Sequence, residues 1–157
     1  ISVEPVYHEP FVVATPADHP LLQHDSIDPA ALAEHAPLLL GQGHCFRDQV
    51  LEACPECVRS DQQGQLQRTL EGGSLETMRM MVASGAGITV LPCASAAQNL
   101  NGAGDLVRYL PFTEPAPSRD VAVAYRQRFP RREAVAVLAR AVRESLPKCL
   151  SPLSGVL

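Results

Sequence analysis

Short apolar runs alternate along the chain with segments whose apolar residues recur at helical spacing. FVVA (11–14) predicts a strand, ended by Pro16 and the turn signals Asp18, His19 and Pro20. DPAALAEHA then predicts a short helix with Asp28 as N-cap and Pro29 in its first position. LLLG (38–41) is a continuous apolar run that reads as a buried parallel strand. In CFRDQVLEAC, Phe46, Val50 and Cys54 recur every four residues, so a helix opens at or just before Cys45 and Pro55 ends it.

The polar stretch SDQQGQLQ (60–67) reads as a loop. Ser74 caps a helix whose first turn carries Glu76 and whose apolar residues are Leu75, Met78 and Val82. Gly85 or Gly87 ends it, and Ile88 to Leu91 form a buried strand stopped by Pro92. A weaker strand over 106–110 precedes the Pro-rich link PFTEPAPS. VAVAY (121–125) follows as a strand, then a helix over 131–146 with Val135, Leu138 and Val142 on one face. Strands alternating with helices imply an α/β fold with parallel pairing.

Composition narrows the function classes. The 157 residues suffice for one domain or two small subdomains. With no Trp, the core must be built from aliphatic residues. A net charge of −4 gives no basic footprint for nucleic acid, and the cluster Arg126, Arg128, Arg131 and Arg132 reads as a solvated surface. No apolar run has the length of a membrane span and no export leader opens the chain, so a cytoplasmic protein with no membrane partner is expected.

Five cysteines is an odd number, which argues against a fully paired disulfide framework. Cys45 sits after the LLLG run, at a helix N-terminus beside His44 and Arg47, surroundings that stabilise a thiolate. Cys54 falls on the apolar face with Phe46 and Val50 and should be sheltered. Nine helical residues separate their Cα atoms by about 13–14 Å, against roughly 5.5 Å in a disulfide, so a bridge between them requires the helix to unwind. Other readings stay open at this level. Cys54 and Cys57 form a C-x-x-C, but at a helix end rather than a helix start. His44, Cys45, Cys54 and Cys57 lack the second ligand pair usual for zinc. Ordinary core cysteines are the third reading, and Cys93 and Cys149 read as structural or incidental. No phosphate-binding glycine loop is present, and no metal or cofactor is expected.

GHCFRDQVLEAC (43–54), together with SLETMRMMVASGAGITVLP (74–92), resembles the regulatory domain of the peroxide-responsive LysR-type transcription regulators. The resemblance continues into the last strand and helix. It implies a periplasmic-binding-protein-like (type II) α/β effector domain, mainly its second subdomain with remnants of the first. Residues 14–117 would be that second subdomain, carrying the redox switch. Residues 1–13 and 118–157 would be crossing strands and part of the first subdomain, and the N-terminal helix-turn-helix domain would be absent.

The resemblance further implies that Cys45 is the peroxidatic cysteine and Cys54 the resolving one, with His44, Arg47, Asp48 and Gln49 around the thiol and Arg119 close to it. Oxidation would give a Cys45 sulfenic acid, then a Cys45–Cys54 disulfide that remodels residues 45–57 and the dimer contacts. Cys57 is an extra candidate for that bridge. The helix over 74–84 is the candidate dimer face, with core packing as the alternative role for Met78, Met81 and Val82. The implied partners are hydrogen peroxide, further copies of the chain (dimer, and tetramer in the parent protein), dithiol reductants, and promoter DNA and RNA polymerase through the full-length protein. Such a domain is not an enzyme. The alternatives are a thiol peroxidase with turnover and an effector domain that binds a small-molecule inducer.

Overall fold

A strand far longer than the apolar run inside it organises the structure, a computed structural model that describes residues 1–35, 37–53, 55, 73–97 and 106–153. β1 spans Ser2–Pro16. Its second half carries the expected run and pairs antiparallel with β2 (Thr89–Pro92) on one side and β3 (Val107–Pro111) on the other. Its first half pairs antiparallel with β4 (Ser118–Tyr125), while Tyr7 and His8 also meet β5 (Ser151–Pro152). Residues 2–10 mix charged groups with two prolines, so no pattern marked them as strand. Pro5 and Pro10 cannot donate to a ladder, and the register shifts between Pro5 and Tyr7. The ladder to β4 keeps the segment extended, and that partner lies at the other end of the sequence.

The sheet is not the parallel one expected. Every ladder among the described residues is antiparallel, and parallel pairing occurs only as the single bridges Leu38 to Thr89 and Ile27 to Phe112. Leu38 and Leu40 are buried as expected. Their pairing stops at one bridge, where the Leu38 N–H donates to the Ile88 carbonyl and the Thr89 hydroxyl to the Leu38 carbonyl, both at 2.8 Å. With β1 on one edge of β2, LLLG lies along the other, at the sheet's margin.

The short helix α1 (Pro29–Leu32) begins where the sequence placed it, with Asp28 Oδ1 accepting from the Ala30 N–H at 2.8 Å. α2 spans Cys45–Ala53. α3 (Leu75–Ala83) is capped by Ser74, whose hydroxyl oxygen accepts from the Thr77 N–H at 3.1 Å. Gly85, at φ +80°, takes the left-handed turn that closes the helix, its N–H bonded to the Val82 carbonyl. α4 (Cys93–Ala97) follows β2 directly, and α5 (Arg132–Glu144) lies beyond β4. Val135 and Ala139 are the buried face of α5, with Val142 half-buried. Leu138, expected on that face, is 52% exposed: its one-turn offset from Val135 rotates it past the edge of the contact with β1. Arg143, near the end of α5, donates to Glu4 at 2.7 Å and to the Pro5 carbonyl, fastening the helix to β1.

The main core gathers around Phe11, Leu32, Phe46, Val50, Met78 and Ile88, so it is not the purely aliphatic core expected, and a smaller cluster of Ala14, Val82, Leu91 and Val107 lies on the other face of β1. Met78 and Val82 are thus core residues, Met81 is half-buried, and Met80 is the exposed methionine of α3. Cys93 is disulfide-bonded to Cys149, with Cα atoms 6.3 Å apart and a sequence separation of 56. The two cysteines, expected as structural or incidental residues with no partner assigned, are thus joined to each other. A loop of this length constrains the unfolded chain by about 4 kcal/mol in the entropy model, of which roughly 2–4 kcal/mol is usually realised. Urea unfolding of Cys149→Ser should show a loss of that size relative to the oxidised parent; an unchanged midpoint would mean the bridge contributes nothing.

Candidate functional site

Gly43, at φ +91°, turns the chain after LLLG and delivers it into α2 at Cys45. The turn closes through the His44 N–H on the Gly41 carbonyl (3.4 Å) and the Arg47 N–H on the His44 carbonyl (2.9 Å). Cys45 therefore stands at the first position of a nine-residue helix, where the positive end of the helix dipole meets solvent. Its thiol is exposed, and it is the free cysteine among the described residues. His44 and Asp48 are exposed beside it.

The opposite face of α2 is anchored. Phe46 and Val50 are buried, and the Phe46 ring meets the Phe11 ring edge-on at 5.1 Å. Arg47 is also buried and donates to the Leu40 carbonyl at 2.9 Å, tying the helix back to the segment before it. Much of its charge is thus used inside the fold rather than displayed beside the thiol.

Arg119 comes to this helix from β4. It donates to the Gln49 side-chain oxygen at 3.3 Å, and its guanidinium lies over the Phe46 ring, 5.3 Å from the centroid. Nε and Nη2 of Arg119 both reach Oε2 of Glu9 at 2.7 Å. The other oxygen of Glu9 accepts from the Ala94 N–H at the start of α4, at 3.0 Å. Glu9 is only 1% exposed. Next to it on the same face of β1, burial above all, then the Glu9 charge, pushes the Tyr7 phenol up.

The structure thus joins Gln49 and Arg119, residues seventy positions apart, around the helix that opens with Cys45. Cys54 and Cys57 lie outside the described residues, as does the loop over 60–67. Among the described residues no group of three or more His, Cys, Asp or Glu side chains converges as a metal site, and no helix is long and apolar enough to cross a membrane. Glu9 was missed by the sequence reading. A signal existed: it shares one strand face with Phe11 and Val13, and a carboxylate on an apolar face requires a partner.

The model of the LysR substrate binding domain matches residues 1–147. A reduced form of OxyR from N. meningitidis superposes with a TM-score of 0.85 at 37% identity, over 98% of this chain and 69% of that one. The chain belongs to the LysR substrate-binding-domain family, in its OxyR branch. The reduced regulatory domain of Pseudomonas aeruginosa OxyR is similar at 44% identity and a TM-score of 0.74, over 91% of this chain and 65% of that one. A hydrogen peroxide-inducible genes activator of Pectobacterium carotovorum subsp. carotovorum is 36% identical over 150 residues, 96% of this chain and 47% of the relative. The chain therefore spans just under half the length of the curated relatives it matches. The expected α/β effector-domain fold is the observed one.

In this OxyR-type domain the buried carboxylate is the support on which Arg119 rests. Removing one member of a buried ion pair strands the other, at a cost of about 3–5 kcal/mol; Arg119 is 29% exposed, so the lower end applies. Glu9→Ala should lose about 3 kcal/mol in urea unfolding, and Glu9→Gln, which keeps an acceptor for Ala94, clearly less. Equal stability of Glu9→Ala and the parent would show that the pair holds nothing.

Proposed function

We propose that this chain is the peroxide-sensing regulatory domain of a LysR-type transcription regulator. The observation that carries the reading is an exposed, free Cys45 thiol at the N-terminus of α2; in the sequence Cys54 follows Ala53, the last residue of that helix. The Cys45 thiolate attacks one oxygen of hydrogen peroxide. An S–O bond forms, the O–O bond breaks, and hydroxide leaves as water after taking a proton, giving a sulfenic acid. The Cys54 sulfur then displaces the sulfenic oxygen as a second water and a disulfide forms. In sum, two thiols and one peroxide become one disulfide and two waters.

The intact helix forbids the second step. Eight residues of α-helix put the Cα atoms of Cys45 and Ala53 about 12 Å apart, and the next Cα adds or removes at most about 3.8 Å. The gap to Cys54 thus exceeds the roughly 7 Å limit for a disulfide while α2 stands. Closing the disulfide and unwinding α2 are therefore one event, and unwinding withdraws Gln49 and Phe46 from Arg119. Residues 14–117 act as the second subdomain carrying the switch. Residues 1–13 and 118–157 supply crossing strands and part of the first subdomain.

The remodelled 45–57 segment alters contacts between copies of the chain, dimer or tetramer in the parent protein. Through the parent protein this changes engagement of promoter DNA and RNA polymerase. Cytoplasmic dithiols reset the bond. Support comes from the resemblance to proteins named as peroxide-inducible gene activators and from the free thiol's position. One peroxide is consumed per switching event, so the domain is a sensor rather than an enzyme. His44, Asp48 and Gln49 surround the reacting thiol, with Arg47 and Arg119 fixing the helix that carries it.

One equivalent of peroxide should remove 2 Da, mapped by mass spectrometry to the peptides carrying Cys45 and Cys54, and Cys54→Ser should stop at a trappable Cys45 sulfenic acid. A bridge from Cys45 to Cys57 in that variant would overturn the choice of partner. Sustained peroxide consumption with a dithiol would favour a peroxidase, and a small-molecule response that survives Cys45→Ser would favour an inducer-binding domain.

A further inference from the structure

We propose that Cys93 and Cys149 are a second redox site, whose bridge sets how firmly Arg119 holds the helix that carries Cys45. The consequence for sensing rests on the function proposed above; the bridge and its mechanical effect do not.

α4 is five residues long, too short to stand by itself. Three consecutive residues hold it. Cys93 is bonded to Cys149. The Ala94 N–H donates to Glu9 Oε1 at 3.0 Å. Ser95 accepts from Nη2 of Arg79 through its carbonyl and, at 3.0 Å, its hydroxyl oxygen. Arg79 belongs to α3, and its Nη1 donates to Glu76 at 2.9 Å. The short helix is therefore a joint between α3, β1 and the segment after α5.

The bridge and the reactive helix are linked through the middle contact. Cys93 is the residue before Ala94, so the sulfur bond fixes the backbone that presents the Ala94 N–H to Glu9. Glu9 in turn positions Arg119, and Arg119 touches α2 at Gln49 and Phe46. Opening the bridge frees the start of α4, loosens one of the two supports of Glu9, and so relaxes the guanidinium that braces α2.

The bond can be worked from outside. Cys93 is buried, but Cys149 lies half-buried in the turn between α5 and β5. A dithiol supplies two electrons and two protons, the S–S bond breaks, and two thiols result. In the reverse direction peroxide oxidises the Cys149 thiol to a sulfenic acid with release of water. The Cys93 sulfur then displaces the oxygen as a second water and restores the bond. An oxidised bridge braces α2, so unwinding is harder; a reduced one lets α2 open more readily.

The test is hydrogen exchange on protein carrying Cys45→Ser, which removes the first reactive thiol, with the Cys93–Cys149 bond closed or reduced by dithiothreitol. Amides of residues 45–53 and 93–97 should exchange about tenfold faster when it is reduced, the size expected when one hydrogen bond to a charged group is loosened. Cys149→Ser on the same background should show the fast pattern with or without dithiothreitol; should it not fold, reduction of the parent still decides. Equal exchange of residues 45–53 in both states would overturn the coupling. Cys93 and Cys149 thiols that remain alkylatable after peroxide would overturn the redox site. Neither readout involves oxidation of Cys45, so failure here leaves the proposed sensing role standing, and failure of that role leaves this result intact.

Discussion

A carboxylate buried in the middle of a strand has to be neutralised, and the position of Arg119 follows from that requirement. Glu9 sits on the apolar face of β1 with almost no contact with water. An unpaired charge there would cost several kcal/mol. The fold answers with three donors on two oxygens: two nitrogens of Arg119 and the Ala94 N–H. With its guanidinium pinned to β1, the remaining edge of Arg119 faces α2, where it meets Gln49 and the Phe46 ring. The helix that presents Cys45 is thus braced from a strand at the far end of the sequence.

The bracing suits the proposed switch, in which the helix has to be both stable and breakable. α2 buries Phe46 and Val50 in the main core and uses Arg47 to tie itself to Leu40. Nine residues of helix have little stability of their own, so it is these contacts that keep it folded. Forming a bond between Cys45 and the residue after Ala53 must be traded against losing them. The proposed sensor thus has a threshold set by packing, and the Glu9–Arg119 pair is one place where that threshold is tuned.

Local patterns were legible in the sequence where the signal is local. The Asp28 and Ser74 caps and the start of α2 at Cys45 depend on neighbouring residues and stand where the sequence put them, and of the two glycines offered for the end of α3 it is Gly85 that closes the helix. Long-range pairing was not legible. The first half of β1 carries no apolar alternation, so only β4 reveals it as a strand. LLLG promised a parallel strand, yet it meets β2 at a single bridge, Leu38 to Thr89. On α5, spacing alone could not separate Ala139, which faces β1, from Leu138, which the slope of the contact leaves in solvent. The motif residues around Cys45 were visible as a group. Glu9 was not, because the reason for its burial lies on β4 and α4.

The central claim is that formation of the Cys45–Cys54 disulfide and opening of α2 are inseparable. A crystal structure of the peroxide-treated protein tests it most directly. A bond between Cys45 and Cys54, with residues 45–53 no longer a continuous helix and Gln49 withdrawn from Arg119, is the expected result. A Cys45–Cys54 bond in a protein whose α2 and Gln49–Arg119 contact are unchanged would contradict it.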